Sequence, residues 1–591
     1  ADPADEAAAE PAVEPAKGQP CAQDEHEEED EDEDEEAIRN RDSMSYAVYI
    51  ADLYADDIFQ GQNTRGRATG PRKKRSAGSP LDADFEARRE VAEANRRKQN
   101  SVDLKLAPAF RHFSKPELEE RAKHSLEGDV YGVVVPATLA ELEQLGGPWL
   151  TRAFHAAGTL REDNRVLRIV SFERLPTTTV SAKGGAGPKA CITVQYASPD
   201  PDLHTKLFVK MPWAVDGSSK EMGGDPIWRY NISQGDSDSQ ECYIYRMLAP
   251  ILPFKIPKCY FADICRESTN YILVTEWIEY ADKGQTSFKP YEILPVAVKF
   301  FDFQLDKPRQ ADMYFALLRA QARLAAWDKL GFFNRVPAEC RGLSRVVPPG
   351  TFPWPEKLEE KQRAIKVRLA KSMARLWTEY LAVAGRCYEA EVAEGPFLEA
   401  LVACIEECGG YVDAIKTYYG TFPEMVALQH ANLHPDNAYF WRNSDGRMDC
   451  GLLDWGGAGP QHFVFTMLGC INAAEADVLD EHEEDFMRCF RDEFYQECGI
   501  RLNVGEMVRQ WHLGCIIKLV GMGSNISKEL FRECPEKEWA TIESLWDERV
   551  SGRWNVRCYA FMIKIMLKYL HLRWARHGRG RLHIHNTFLD W

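Results

Sequence analysis

The segment His430-Ala-Asn-Leu-His-Pro-Asp-Asn437, followed by Gly451-Leu-Leu-Asp-Trp-Gly456, constrains this chain more than any other. Between the two lies a hairpin signal. Ala438-Tyr-Phe-Trp441 and Met448 to Leu453 are strand-like runs that flank a turn containing Asp445-Gly446. A hairpin folded there returns the chain to its starting edge. Asn437 and Asp454, 17 residues apart, then meet at one cleft. Hard oxygen donors suit Mg²⁺, which usually takes only one or two ligands from protein. A zinc helix through His430 and His434 fits poorly, because Pro435 breaks a helix and the Glu such a motif needs is missing.

The rest of the chain has room for a large fold around this unit. At 591 residues it can form several domain-sized pieces, and 45% hydrophobic content fits a globular protein. The net charge of −18 is concentrated at one end. Residues 1–36 carry 17 acids and one Lys, whereas the remaining 555 residues carry 74 acids and 72 bases. The folded part is therefore close to neutral, which argues against nucleic acid as a partner. There is no run of about 18 apolar residues, so no membrane-spanning helix is expected. The 16 cysteines are scattered without a Cys-x-x-Cys pair, and Cys404 and Cys408 suit one helix face better than a zinc site. Reduced, mostly buried thiols point to an intracellular protein, cytoplasmic in the simplest reading, with nucleus or organelle as alternatives.

Four regions are expected. Residues 1–41 form an acidic tail that has nothing apolar to bury and should be disordered, with a basic protein as its natural partner. Residues 42–130 form a linker with the basic run Arg65 to Arg75 and a helical stretch from Asp82 to Lys98. Pro71-Arg-Lys-Lys-Arg75 reads as a solvated linker before it reads as a nuclear address. Residues 131–280 are strand-rich. Strands are predicted at Val166 to Phe172, Ala190 to Ala197, Leu207 to Lys210 and Tyr271 to Ile278, with a short capped helix at Thr138 to Leu150 and one prominent helix at Ser239 to Leu248. Residues 281–591 are mainly helical, with helices expected over Tyr314 to Gly331, Glu356 to Glu394, Phe397 to Tyr419, Glu483 to Cys498 and Asn555 to Ala575.

Phosphoryl transfer needs a cradle for nucleotide phosphates, a positive charge, Mg²⁺ ligands and a group that orients the attacking hydroxyl. Each has a candidate, in chain order. The loop Lys183-Gly-Gly-Ala-Gly187 between two strands offers Gly184, Gly185 and Gly187 for close approach to phosphates, although glycine-rich hairpin loops are common. Lys210 ends a strand and can face phosphates; Glu241, on the following helix with Tyr245 on the same face, can hold that Lys. Surface charge is the plainer reading of either residue alone. Tyr271-Ile-Leu-Val-Thr-Glu-Trp277 can form a hinge whose backbone near Glu276 and Trp277 reads adenine. Asn437 and Asp454 are the metal ligands, and Asn432, with His430 and Asp436, makes up the catalytic loop. His430 also reads as a histidine bracing that loop.

In these residues the chain resembles the aminoglycoside/choline kinase-like phosphotransferases, including their ecdysteroid-kinase-like branch. The matches are Lys210, Glu241 with Tyr245, His430-x-Asn432-x-x-x-x-Asn437, Asp454-Trp455-Gly456 and the Ala-rich segment Ala320 to Trp327. The resemblance covers roughly residues 135–500 by motif order. It implies an α+β, bilobal protein-kinase-like fold with a small strand-rich N-lobe and a large helical C-lobe. It also implies ATP and Mg²⁺ as cofactors and a small-molecule hydroxyl as acceptor. The family's catalytic-loop Asp is replaced by Asn432, which can orient a hydroxyl but cannot take its proton near neutral pH. The rival reading is a catalytically silent pseudokinase that binds nucleotide or serves as a scaffold.

Three further features have plain readings. The acidic stretch Asp477 to Asp485 is a solvated helix face before it is a site for a cationic substrate. Arg573 to Arg581, with Trp574, reads as Arg at a helix end rather than an RNA or lipid contact. His583-x-His585 hints at metal, with a surface strand as the ordinary alternative.

Overall fold

An inner strand of the sheet, β5 (Asn270–Glu276), has both faces covered, which is why it reads as an unbroken apolar run. Its side chains alternate between two cores. Ile272 and Val274 face a cluster with Trp149, Leu150 and Phe154, whereas Tyr271 and Leu273 join the main core of the molecule. In this computed structural model the described residues are 86–94, 113–175, 187–214, 237–278, 307–336, 341 and 360–591. The chain divides into two units, Ala1–Met44 and Ser45–Trp591. Everything below concerns the second. The acidic tail, the basic run and Gly184 and Gly185 lie outside the described residues.

The sheet is antiparallel, with β1 (Val166–Arg174), β2 (Lys189–Tyr196), β3 (Lys206–Lys210) and β4 (Cys259–Cys265) arranged around β5 in the order β1-β2-β3-β5-β4. The helix Leu139–Ala156 packs its apolar side on this sheet. Its start is fixed by Thr138, whose hydroxyl accepts a hydrogen bond from the Glu141 N–H at 3.2 Å. The chain runs through a kink at Gly146 and continues past Leu150, so the helix is longer than the short one predicted. Ser237–Tyr243 is α-helical and passes into a π-helical turn at Ile244–Leu248. The strand-rich lobe therefore holds both of the helices expected there, the first longer than predicted.

The other lobe is helical. The helix Lys307–Lys329 packs along Ala476–Cys498, and buried polar pairs join them. Arg323 Nε donates to Glu493 Oε1 at 2.5 Å, and Trp327 Nε1 donates to Glu497 Oε2 at 2.9 Å. Desolvation offsets much of the attraction in such buried pairs. Glu360–Ala384 and Trp554–Arg576 form near their predicted places. The single helix expected over Phe397 to Tyr419 is broken into Gly395–Cys408 and Val412–Gly420 by Gly409–Tyr411. Val504–Asn525 is a helix that the sequence reading left out. This is an α+β architecture with a strand-rich part ahead of a large helical part, as the sequence predicts. No helix among the described residues is long and apolar enough to cross a membrane.

Two surface readings are corrected. His583 and His585 lie on the helix His583–Leu589 and are buried, so the surface-strand reading fails. The arginines of 573–581 do not simply reach into solvent: Arg573 pairs with Glu483, Arg576 with Asp480 and Arg581 with Glu407. The 14 described cysteines form no disulfide with one another, and ten of them are buried, as their scatter suggested.

Candidate active site

Strand periodicity places the first side chain. In β3, Leu207 and Val209 point into the sheet's own core, which sends Phe208 and Lys210 to the opposite face. Lys210 is buried there, its Nζ 2.7 Å from Glu241 Oε2. The same Nζ lies 2.7 Å from Asp454 Oδ1, across the boundary between the lobes. Burial opposes the charge on Lys210, but Asp454 and Glu241 outweigh it and hold the ammonium well above its ordinary range. One cation faces two carboxylates. Burial, and the nearby charge of Asp454, push the Glu241 carboxyl upward despite Lys210.

The hairpin forms as predicted and brings the two metal-ligand candidates to one edge. Ala438–Arg442 pairs with Met448–Leu452, with Ala438 opposite Leu452. One step beyond that pair the Leu453 N–H donates to the Asn437 carbonyl at 2.8 Å. Asp454 follows in a left-handed conformation (φ 61°, ψ 66°), which turns its half-buried carboxylate toward Lys210. Ala431 is also left-handed, with φ 70°. Asp tolerates this region; for Ala it costs about 1 kcal/mol. The surrounding contacts hold both residues there.

Those contacts run through the loop itself. Asn437 Nδ2 donates to the Asn432 carbonyl at 2.7 Å, so the oxygen end of the Asn437 amide is the end left for a hard cation. The Asn432 N–H donates to the His430 carbonyl at 2.9 Å. Asn432 is half-buried, and its Oδ1 has no hydrogen-bond partner. An acceptor poised in this way suits a hydroxyl donor.

His430 braces the loop from the interior. It is wholly buried, and burial lowers its pKa to about 4, so the ring is neutral near pH 7. Its Nε2 donates to the Leu453 carbonyl at 2.6 Å, and its ring lies 4.5 Å from that of Trp455. It thus clamps both neighbours of Asp454. Trp455 in turn stacks on Phe254 at 6.0 Å and 8°. Asp436 sits in the turn Pro435–Asn437; its side chain lies outside the described residues.

The remaining candidates are placed differently from expectation. The Glu276 N–H donates to the Lys258 carbonyl and the Trp277 N–H to the Lys206 carbonyl, so both are committed to the sheet and do not await adenine. The Glu276 carboxylate accepts from the Lys258 N–H at 3.0 Å and pairs with His204 at 2.8 Å. Gly187 is explained by packing: a Cβ there would stand 1.6 Å from the Met211 carbonyl oxygen. The sequence reading missed Lys255, whose carbonyl accepts from the Leu452 N–H at 3.1 Å and ties the approach to β4 to the hairpin. Nothing in local spacing marks such a pair. The residues fit a Mg²⁺-nucleotide: Lys210 and Asp454 meet at 2.7 Å, and the residue before Asp454 is hydrogen-bonded to the Asn437 carbonyl.

No protein-family model matches the chain, and no curated protein sequence matches it. Three solved structures are similar in part. One is assigned as an aminoglycoside phosphotransferase from Ralstonia eutropha JMP134, with 11% identity and a TM-score of 0.30 over 67% of this chain and 92% of the other. Another is a microcompartment-associated aminopropanol kinase, with 12% identity and a TM-score of 0.32 over 69% and 93%. The third is choline kinase from Cryptosporidium parvum Iowa II, with 11% identity and a TM-score of 0.30 over 71% and 93%. Likeness at this level adds no weight of its own, and the functional reading rests on the side chains.

Proposed function

We propose that this chain is a phosphotransferase that uses ATP and Mg²⁺ to phosphorylate a hydroxyl of a small molecule. The single observation that carries the reading is the convergence of Lys210, Glu241 and Asp454 at 2.7 Å contacts, across 244 residues of sequence. When bound, the Mg²⁺-nucleotide supplies the phosphoryl group and its leaving group. Lys210 binds phosphate oxygens, and Glu241 keeps its ammonium aimed at them. Asp454 and Asn437 offer oxygen ligands to the metal, which is the number Mg²⁺ commonly takes from protein. Asn432 orients the acceptor hydroxyl through its Oδ1, which has no hydrogen-bond partner of its own. Positioning and charge stabilisation dominate this chemistry, so a site without a carboxylate base at position 432 can still work.

Asn432 itself favours a second reading, a nucleotide-binding protein without transfer activity. Both readings require the nucleotide site. The test is calorimetric titration of ATP, with and without Mg²⁺, into wild type and Asp454→Ala, each checked for folding. Mg²⁺-dependent binding that disappears in the variant supports the site and opens a screen of hydroxyl acceptors by ADP release. Folded wild type that binds no ATP would sink both readings.

A further inference from the structure

A second polar cluster lies among the C-terminal helices, on elements that contribute nothing to the cleft. Glu483 comes from Ala476–Cys498, His512 from Val504–Asn525 and His583 from His583–Leu589. One ligand atom from each lies within 4.8 Å of the others, and all three residues sit in the interior or close to it.

Hydrogen bonding around the cluster leaves two acceptors facing each other. The Thr587 hydroxyl donates to the His583 carbonyl at 3.1 Å, so its oxygen is the acceptor that His512 Nδ1 meets at 2.9 Å. With the proton on Nδ1, the Nε2 lone pair of His512 faces Glu483 Oε1 at 3.1 Å. Two acceptors at that separation need a positive species between them, either a proton or a metal ion. The other carboxylate oxygen, Glu483 Oε2, is held by Arg573 Nη1 at 2.9 Å and by the Tyr569 hydroxyl. This is how outer partners fix a ligating carboxylate. Burial opposes ionisation of Glu483, but His512, Arg573 and Tyr569 more than offset it and keep the group ionised.

His583 separates a metal from a proton. It is 7% exposed, and neither of its ring nitrogens has a hydrogen-bond partner. Its ring stands edge-on to His512, with centroids 4.8 Å apart and planes at 88°. A buried imidazole without partners is costly, and buried polar atoms are nearly always satisfied. A shared proton between Glu483 and His512 leaves His583 unsatisfied, whereas a metal ion uses it.

We propose that Glu483, His512 and His583 bind one divalent transition-metal ion, of the zinc class, which ties the C-terminal helix to the body of the helical lobe. Two imidazoles and a carboxylate suit zinc in preference to Mg²⁺ or Ca²⁺. Tetrahedral ligation at about 2.0–2.1 Å places donor atoms about 3.4 Å apart, so the His512 and Glu483 atoms already fit, and His583, within 4.8 Å of them, has at most about 1.4 Å to close. Three protein ligands leave one position for water. The Arg573 charge works against a dication, and its contact with the second carboxylate oxygen keeps Oε1 free for the ion.

The full chain, stripped with EDTA and dialysed, is titrated with Zn²⁺ against a chromogenic chelator, and in parallel with Co²⁺ for its visible absorption. The expected result is one equivalent of Zn²⁺, a rise in Tm on binding, and a Co²⁺ spectrum of four- or five-coordinate type without thiolate charge transfer. His583→Gln and His512→Gln lose that equivalent; His585→Gln, two residues on, keeps it. Should the substituted chains fail to fold, the wild-type Co²⁺ spectrum still decides. No stoichiometric Zn²⁺, a spectrum dominated by thiolate ligands, or full retention in folded His583→Gln overturns the proposal.

Discussion

Lys210 Nζ stands 2.7 Å from Asp454 Oδ1 and the same distance from Glu241 Oε2, so one ammonium serves two carboxylates. The two carboxylates are not equivalent. Glu241 is buried beside Lys210, whereas Asp454 is about a third exposed and lies at the cleft. Glu241 is therefore the structural partner, and Asp454 is the one that a metal ion can share.

Substitution at the two buried members should separate these roles. Glu241→Gln leaves Lys210 its bond to Asp454, so Tm should fall by little while ATP affinity falls about tenfold or more as the lysine loses its aim. Lys210→Met removes the cation that is hydrogen-bonded to Glu241. Breaking a buried pair from one side costs about 3–5 kcal/mol. Glu241 can relieve part of this by taking a proton, since burial already pushes its carboxyl upward. The Lys210→Met penalty should accordingly shrink as pH falls. Denaturant unfolding at several pH values, beside ATP titration, checks both; equal stability losses in the two variants would contradict the assignment.

Gly451 sets how closely the hairpin can pack. It lies opposite Tyr439, and an added Cβ would stand 2.1 Å from Tyr439 Cζ. Gly451→Ala should cost about 1–3 kcal/mol, the usual range for overpacking. Because Asp454 follows three residues later, Mg²⁺-dependent ATP binding should weaken as well. Adding Tyr439→Ala to Gly451→Ala should restore part of both losses. A double variant no better than the single one would show that the side chain of Tyr439 is not the obstacle.

Much of this site is legible in sequence because it is local. The hairpin signal and the Asn437–Asp454 spacing survive translation into structure, since a two-strand ladder fixes register from its own turn. The β3 lysine is legible for a similar reason: period-two alternation puts Lys210 opposite Val209. What sequence does not carry is the contact between distant elements. His430 reads as a catalytic-loop residue and proves to be buried against Leu453 and Trp455, because nothing in eight residues announces what will cover them. The N–H groups of Glu276 and Trp277 are taken up by strand partners at Lys258 and Lys206, a register that local patterning leaves open. The His583–His585 pair reads as alternation and is helical, since two residues cannot distinguish the two periods.

His462 should make stability depend on pH. It is fully buried and burial alone lowers its pKa to about 3, against 6.5 ordinarily. Its Nδ1 accepts from the Val464 N–H at 3.3 Å, and its ring stacks on Tyr419 at 4.8 Å. Between pH 3 and 6.5 the unfolded chain binds a proton at this site that the folded chain excludes. Stability from His462 is thus complete above about pH 6.5 and declines as pH falls toward 3. From pH 7 to 5 wild type should lose about 2 kcal/mol that His462→Phe does not, at 1.36 kcal/mol per pH unit. Chemical denaturation at the two pH values measures the difference; parallel losses would mean the imidazole is not the source.

Asn432 offers the decisive test of chemistry. Its carbonyl is fixed by Asn437 Nδ2, and its shielded Oδ1 has no hydrogen-bond partner, so that oxygen is the acceptor the proposed reaction would use to orient a hydroxyl. Asn432→Asp keeps the shape and adds a base. General-base help is worth about 10²–10⁴-fold at most, and less where the transition state is loose. The expected outcome is a faster turnover of the same acceptor, with ATP affinity nearly unchanged because Lys210, Asn437 and Asp454 are untouched. ADP release across a panel of hydroxyl acceptors measures it. Activity that arises only in the variant, on an acceptor wild type ignores, would assign wild type as a nucleotide-binding protein without transfer. In that case the orienting role given to Asn432 would fall, while the metal and phosphate ligands would stand.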